Sequence, residues 1–425
     1  MHIEKITIKN FRCHEELELA FGGGFTVLVG ANGSGKTSAL KAILAPMHEF
    51  AANFTPSFSR PFQESDIRLS SISINGRTRF EKNFPLAIAA SGKALGERFL
   101  YSLNANSIEK HEVTDDMYSQ VSKFKKSPAE VNIFTTFPLL AFYSADRHWK
   151  YENTDLLAAA TKKESRFDAY QNWKEASIDS SNLYAWIVGK TLERFESLSS
   201  GDPSGEMIDE LEIVNTALSM TSLGVKGFNY SIRERTILIE WGGTPRSVPI
   251  DNLSSGQRAL IFLVADIARR MCLLNPHLAS KVTTETDGIV LIDEIDLHLH
   301  PKWQRDVVRS LKLAFPKVQF VVTTHSPQVI SELQPTEILL LQGKNAVHPN
   351  FSYGLDSSAI LEIVMDASER PFAVTKSLSL LFGYIDKNEI DSAKSKLEEL
   401  KQVAPGLPEY VRAEALIRRK ETVGR

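Results

Sequence analysis

The run Gly30-Ala31-Asn32-Gly33-Ser34-Gly35-Lys36-Thr37 satisfies the pattern G-x-x-x-x-G-K-[ST] without a mismatch. Glycines in such a run let backbone N–H groups close on phosphate oxygens, and a helix starting there adds partial positive charge. Lys36 is then placed to reach the β- and γ-phosphates of a nucleoside triphosphate, and Thr37 to offer its hydroxyl to Mg²⁺. Asn32, Gly33, Ser34, Gly35 and Ser38 complete the cradle. A second segment, Gly288-Ile289-Val290-Leu291-Ile292-Asp293-Glu294, is an apolar run ending in two acids. Asp293 is positioned to hold the metal and Glu294 to polarise an attacking water, since phosphoryl transfer needs placement and charge stabilisation more than covalent chemistry. His325, closing Phe320-Val321-Val322-Thr323-Thr324-His325, stands where a γ-phosphate contact would sit. In Leu253-Ser254-Ser255-Gly256-Gln257-Arg258, Ser254, Gly256 and Gln257 open a helix with hydroxyls and free N–H groups that suit a phosphate. Alone, that segment reads as a plain N-cap. In series with the others it implies ATP or GTP binding with Mg²⁺, and Lys36, Glu294 and His325 as the groups that act on the triphosphate.

These residues need strands that end beside one another. Phe25-Thr26-Val27-Leu28-Val29 reads as a strand feeding the glycine-rich loop, and Ser38–Leu44 as the helix after it. Four consecutive apolar residues in 289–292 fit a parallel strand covered on both faces. Upstream, Ile3, Ile6 and Ile8, then Leu17, Leu19 and Phe21, predict two short paired strands. Residues 66–85 read as a hairpin turning at Asn75-Gly76, where both residues accept positive φ. Leu139–Tyr143 and two runs within 226–241 read as further strands, and about 150–222 as mostly helical with a linker at Ser199–Gly205. Residues 351–425 read as helices broken near Pro371 and Ala404-Pro405-Gly406.

Bulk composition excludes several classes. With 425 residues, 43% hydrophobic and 24% charged, the chain suits a large globular α/β domain with insertions. No apolar run approaches the ~20 residues that cross a bilayer, and the N-terminus reads as a strand rather than a signal peptide. Two cysteines without metal-type spacing argue for a reducing cytoplasm. A net charge of −3 argues against a surface wholly committed to nucleic acid but leaves room for a local basic groove. His298 and His300 lack a third ligand nearby, so they read as a turn leading into a helix at Pro301 rather than a metal site.

The order of these segments resembles an ABC-type ATPase head: phosphate loop, then LSSGQ for the usual LSGGQ signature, then the Asp293-Glu294 strand, a D-loop at Ile295–His298 and a switch histidine at His325. Ile8-Lys9-Asn10-Phe11-Arg12 resembles the opening of the RecF/SMC branch, which places Arg12 near the nucleotide. The implied fold is α/β: an ABC-type P-loop ATPase head over 1–350 with a mixed β-sheet and a helical insertion, then a C-terminal helical region over 351–425. The resemblance also implies that Ser254 acts on a partner subunit's ATP, so that the working unit is at least a homodimer.

Within this group, Asp293–Pro301, Thr324-His325-Ser326-Pro327 and the tail from Tyr353 look most like the ATPase component, PtuA, of Septu and of some retron anti-phage systems. That family works with a separate HNH nuclease, which implies such a partner here. Residues 356–425 hold no HNH or zinc cluster and are too few and too helical for a TOPRIM nuclease. Leu378, Leu381, Phe382 and Ile385 at helical spacing suit either a partner or their own domain. Arg418-Arg419-Lys420 suits a solvated helix end, with DNA or RNA as the other reading. Three functions follow: a defence ATPase that scaffolds and gates a nuclease, a RecF-like repair factor that clamps DNA, and a structural protein that binds ATP without useful turnover.

Overall fold

The computed structural model describes residues 1–55, 61–74, 77–116, 134–147, 149, 156–161, 163–200, 208–221, 224–243, 247–365 and 370–423. Two units of compact packing divide the chain, Met1–Asp356 and Ser357–Arg425.

The first unit opens with β1 (His2–Phe11) and β2 (His14–Ala20), which pair antiparallel as their alternating apolar residues require. Then β3 (Phe25–Val29), buried at every residue, runs into the glycine-rich loop and α1 (Lys36–Ala51). The hairpin of β4 (Leu69–Ile74) and β5 (Arg77–Lys82) sets Ile74 opposite Arg77. Its turn, Asn75-Gly76, lies outside the described residues, as does most of the 199–205 linker.

Three strands absent from the sequence-based expectation follow: β6 (Leu86–Ala94), β7 (Glu97–Ala105) and β8 (His111–Asp115). They complete a five-stranded antiparallel sheet in the order β2-β1-β6-β7-β8. The reason they escape a periodicity search lies in β6. Its inward residues Leu86, Ile88, Ala90, Gly92 and Ala94 alternate with Ala87, Ala89, Ser91 and Lys93, so the two faces differ little in hydrophobicity.

After β9 (Leu139–Tyr143) the chain is mostly helical, with α2 (Ser180–Ser200) and α3 (Glu210–Ser219). A small antiparallel sheet, β10 (Val225–Ser231), β11 (Thr236–Trp241) and β12 (Ser247–Pro249), leads to α4 (Ser255–Leu274). The unit closes with β13 (Gly288–Ile292), α5 (Pro301–Ala314), β14 (Val318–Thr323), β15 (Ile338–Gln342) and β16 (Asn345–Val347).

The architecture that matters is the six-stranded mixed sheet, ordered β16-β15-β3-β14-β13-β9. Every neighbouring pair from β15 to β9 is parallel, and only β16 runs against them. One strand, β14, separates the loop strand β3 from the acid strand β13. The carboxyl ends of β3, β14 and β13 therefore lie side by side, which is where ligands of open α/β sheets bind. This is an α/β fold with a mixed sheet and helical segments inserted, as expected.

The second unit contains α6 (Phe372–Asp386), α7 (Ile390–Val403) and α8 (Glu409–Val423). Leu378, Leu381 and Ile385 are buried here with Ala393, Leu397, Leu400, Tyr410, Ala413 and Ile417, and Phe382 is partly buried against them. The apolar stripe of α6 thus packs in its own three-helix core. Among the described residues no helix is long and apolar enough to cross a membrane.

Candidate active site

A single pocket at the carboxyl ends of the three strands is lined by Asn32, Gly33, Gly35, Lys36, Thr37, Ser38, Asp293, Glu294, Thr323, His325 and Cys13. Nine of these were expected from sequence; Thr323 and Cys13 were not. Gly35 takes φ +91°, and a Cβ there would sit 2.3 Å from His14 Nε2 and 2.5 Å from Cys13 Sγ. Only glycine lets the loop turn against β2 so closely. Lys36 is buried, and its ammonium donates to the carbonyls of Gly30 at 2.9 Å and Ala31 at 3.1 Å, folding back along its own loop. The Ser34 hydroxyl is buried without a hydrogen-bond partner among the described residues. Ser34, expected in the cradle, does not line the pocket.

The acid side is held from the start of α1 and the end of β14. Thr37 Oγ1 donates to Asp293 Oδ2 at 2.8 Å, and Thr323 Oγ1 donates to Asp293 Oδ1 at 2.6 Å. Thr323 Oγ1 also accepts the Glu294 N–H at 2.7 Å. Mg²⁺ favours one or two protein oxygens plus water and phosphate oxygens. Thr37 and Asp293 supply a hydroxyl and a carboxylate already in contact, so this donor set fits that ion.

Other expected residues lie elsewhere. Arg12 pairs with Asp66 at 2.7 Å and lines an adjoining cavity with Lys41, Phe62 and Ser144, not the phosphate pocket. Ser254, Gly256 and Gln257 also stand outside the pocket lining. Ser254 caps α4: its hydroxyl accepts the Gln257 N–H at 3.2 Å, and the Gln257 side chain accepts the Ser254 N–H at 3.1 Å. Ser255 is exposed, which explains why a side chain is tolerated at the first glycine of the signature pattern. Gly256 is not so free, because a Cβ would come 2.1 Å from the His298 carbonyl. The helix start and the D-loop thus touch through a bare backbone. His300 caps α5, its ring nitrogen accepting the Lys302 N–H at 3.3 Å.

Residues 25–331 match the profile of the family described as AAA domain, putative AbiEii toxin, Type IV TA system. The chain belongs to that family. It is a P-loop ATPase, and the match runs from β3 past His325, taking in every segment of the pocket except the Cys13 turn. A retron Vc95 probable ATPase of Vibrio cholerae is 27% identical across 87% of this chain and 80% of its own length. A Septu protein PtuA of Bacillus mycoides is 41% identical over 92 residues, 22% of this chain and 12% of that one. A DNA replication and repair protein RecF of Oceanobacillus iheyensis is 30% identical over 27% of this chain and 29% of its own.

The electrostatics of the ATPase pocket follow from burial and crowding. Desolvation lowers the Lys36 pKa, partly offset by Asp293 and Glu294, so the ammonium is poised to gain from an added anion. His325 is also shifted down, first by burial and then by Lys36, which favours the neutral imidazole. Glu294 adopts the left-handed conformation, φ +49°, and lines the pocket.

Sequence patterns missed the groups that brace this pocket. Arg147, just past β9, is buried and donates to the carbonyls of Asp293 at 2.5 Å and Glu294 at 2.7 Å. Tyr143, ending β9, donates to Asp266 Oδ2 at 2.8 Å, and Asp266 pairs with Arg269 at 2.9 Å and Arg270 at 2.8 Å. Burial alone would raise the Asp266 carboxyl, but the two guanidiniums outweigh it and hold the pKa below its ordinary value. This cluster ties the signature helix α4 to the strand beside the acids. Three charged residues within an otherwise apolar helix stretch, Asp266 with Arg269 and Arg270 at i, i+3 and i, i+4 intervals, were the available signal.

Proposed function

We propose that this ATPase works as a nucleotide-sandwiched homodimer that scaffolds and regulates a separate HNH nuclease in anti-phage defence, in a reducing cytoplasm. In this reading Lys36 neutralises the β- and γ-phosphates, while Asn32–Ser38 cradle them. Thr37 and Asp293 would hold Mg²⁺, which when bound supplies charge neutralisation on the phosphate oxygens. Glu294 orients and polarises the attacking water, and His325 contacts the γ-phosphate from the neighbouring strand. Arg12, which lines the other cavity and pairs with Asp66, would serve the nucleotide from there.

The observation that carries the dimer is the place of Ser254. It is exposed at the start of a helix and absent from its own chain's pocket lining, so its free face is available to another copy's triphosphate. The defence role is supported by the retron relative, which matches most of both chains, and by the local match to a Septu protein. A HNH partner is what the Septu resemblance implies.

The test is mass measurement of the Glu294→Gln protein with and without ATP and Mg²⁺. A dimer that forms only with nucleotide, and that Ser254→Arg abolishes, is expected. A mass unchanged by nucleotide would exclude the sandwich. Co-purification from the native operon reads out the nuclease. The local RecF match favours a second reading, a clamp on duplex DNA. ATPase stimulation by duplex DNA, with no nuclease retained, would select it.

A further inference from the structure

We infer that Arg147 is a positioning residue for ATP hydrolysis, holding the Asp293-Glu294 backbone so that the Glu294 carboxylate faces the triphosphate pocket. This rests on the reading of Glu294 as the group that polarises water. Immediately after β13 the chain must turn sharply, and Glu294 does so with φ +49°, a conformation that a residue bearing a Cβ keeps only when its surroundings hold it. The hold is complete at the backbone. The Tyr143 carbonyl accepts the Asp293 N–H at 2.9 Å, and Thr323 Oγ1 accepts the Glu294 N–H at 2.7 Å. Arg147 takes the two carbonyls: Nη1 donates to Asp293 at 2.5 Å and Nη2 to Glu294 at 2.7 Å. The Ser144 carbonyl shares Nη1 at 3.1 Å, and the Glu294 carbonyl also accepts the Leu297 N–H at 3.0 Å.

By contrast, the Glu294 carboxylate has no hydrogen-bond partner among the described residues, although Glu294 lines the pocket. Its aim is therefore set through its main chain, and Arg147 is the one side chain among the described residues that donates to both carbonyls. A planar guanidinium can bridge two adjacent carbonyls with its two terminal nitrogens; a lysine ammonium is a single point and cannot reproduce that fork. Arg147 is 8% exposed and does not line the phosphate pocket, so it acts through Glu294 rather than on substrate. Its charge sits beside Asp293, Asp296 and Glu294, whose field keeps the guanidinium in place despite burial.

Three variants test this by steady-state ATPase kinetics, binding of a fluorescent ATP analogue and urea unfolding. Arg147→Lys should lower kcat by about 100-fold, the scale of a small misplacement at a reacting centre. Analogue affinity and KM should stay within about twofold of wild type. Arg147→Ala should lose kcat likewise and regain much of it in millimolar guanidinium, which can occupy the vacated space, but not in equal ammonium. Glu294→Gln, run in parallel, should abolish turnover while binding the analogue. An Arg147→Lys rate within twofold of wild type beside an inactive Glu294→Gln would overturn the positioning role and leave the acid's role standing. A Glu294→Gln enzyme at wild-type rate would overturn both. Loss of analogue affinity or of cooperative unfolding in both Arg147 variants, without guanidinium rescue, would assign a general structural role and also overturn it.

Discussion

The Thr37 hydroxyl donates to the Asp293 carboxylate at 2.8 Å, although 256 residues separate them in the chain. Parallel strands β3, β14 and β13 bring them together, since Val322 pairs with both Val27 and Ile292. Two hard oxygen donors meeting where a helix starts and a strand ends are suited to a metal that keeps most of its own water.

Asp293→Asn should therefore raise the Mg²⁺ concentration for half-maximal ATPase rate by about tenfold or more, as losing one charged ligand interaction costs about 1.5–3 kcal/mol. Binding of ATP in excess EDTA should change little. An unaltered Mg²⁺ titration would remove Asp293 from the metal site.

Gly35→Ala should abolish nucleotide binding while leaving the second unit folded. The added methyl meets His14 Nε2 and Cys13 Sγ, and φ +91° is strained for any L side chain. Isothermal titration with ATP reads the loss, and wild-type affinity would contradict the packing of loop on β2.

Asp266→Asn leaves two buried guanidiniums without their counter-charge. A loss of about 3–5 kcal/mol of stability is expected, the scale of a broken buried ion pair. Urea unfolding at pH 7 measures it. The linkage also has a sign: because the folded-state carboxyl is held below its ordinary value, its contribution is complete above the unfolded pKa. That contribution is lost as pH falls through the folded one.

His325 should titrate below the 6.5 of an ordinary histidine in nucleotide-free protein. Its share of stability is then full above pH 6.5 and declines on acidification through the lower folded value, because the unfolded chain takes the proton first. The imidazole resonances of wild type against His325→Gln identify the group. A midpoint above 6.5 would contradict its burial beside Lys36.

Cys13 is exposed in the pocket wall, and its hydrogen bond with His14 lowers its thiol pKa below the ordinary value, whereas burial raises that of Cys272. Iodoacetamide should thus modify Cys13 first, at a rate that persists as pH falls below the usual thiol range. Saturating ATP should slow it. Peptide mass mapping checks both statements, and faster labelling of Cys272 would refute them.

Much of the pocket was legible because its parts are contiguous. Gly30–Thr37 must bend one short backbone around an anion, so the necessary residues stand next to each other. The strands β3 and β13 are apolar on both faces, which a linear scan detects as an unbroken run. The sheet of β6, β7 and β8 was not legible, since small residues on both faces flatten the alternation. Nor was the bracing by Arg147 and Thr323: each acts on backbone far away in sequence, and nothing in their immediate neighbours marks them.

From its sequence alone this chain is recognisable as a triphosphate-binding ATPase head, with its loop, its acids and its terminal helices in order. What folding alone decided is how those pieces are aimed. One threonine from the start of α1 and one from the end of β14 grip Asp293, a guanidinium 147 residues upstream holds the Glu294 turn, and Arg12 turns to Asp66 instead of the phosphate pocket. The division has a physical cause. Phosphate cradling is a property of local backbone geometry and its few permitted residues, whereas the direction of a carboxylate depends on hydrogen bonds whose partners only tertiary packing brings within reach.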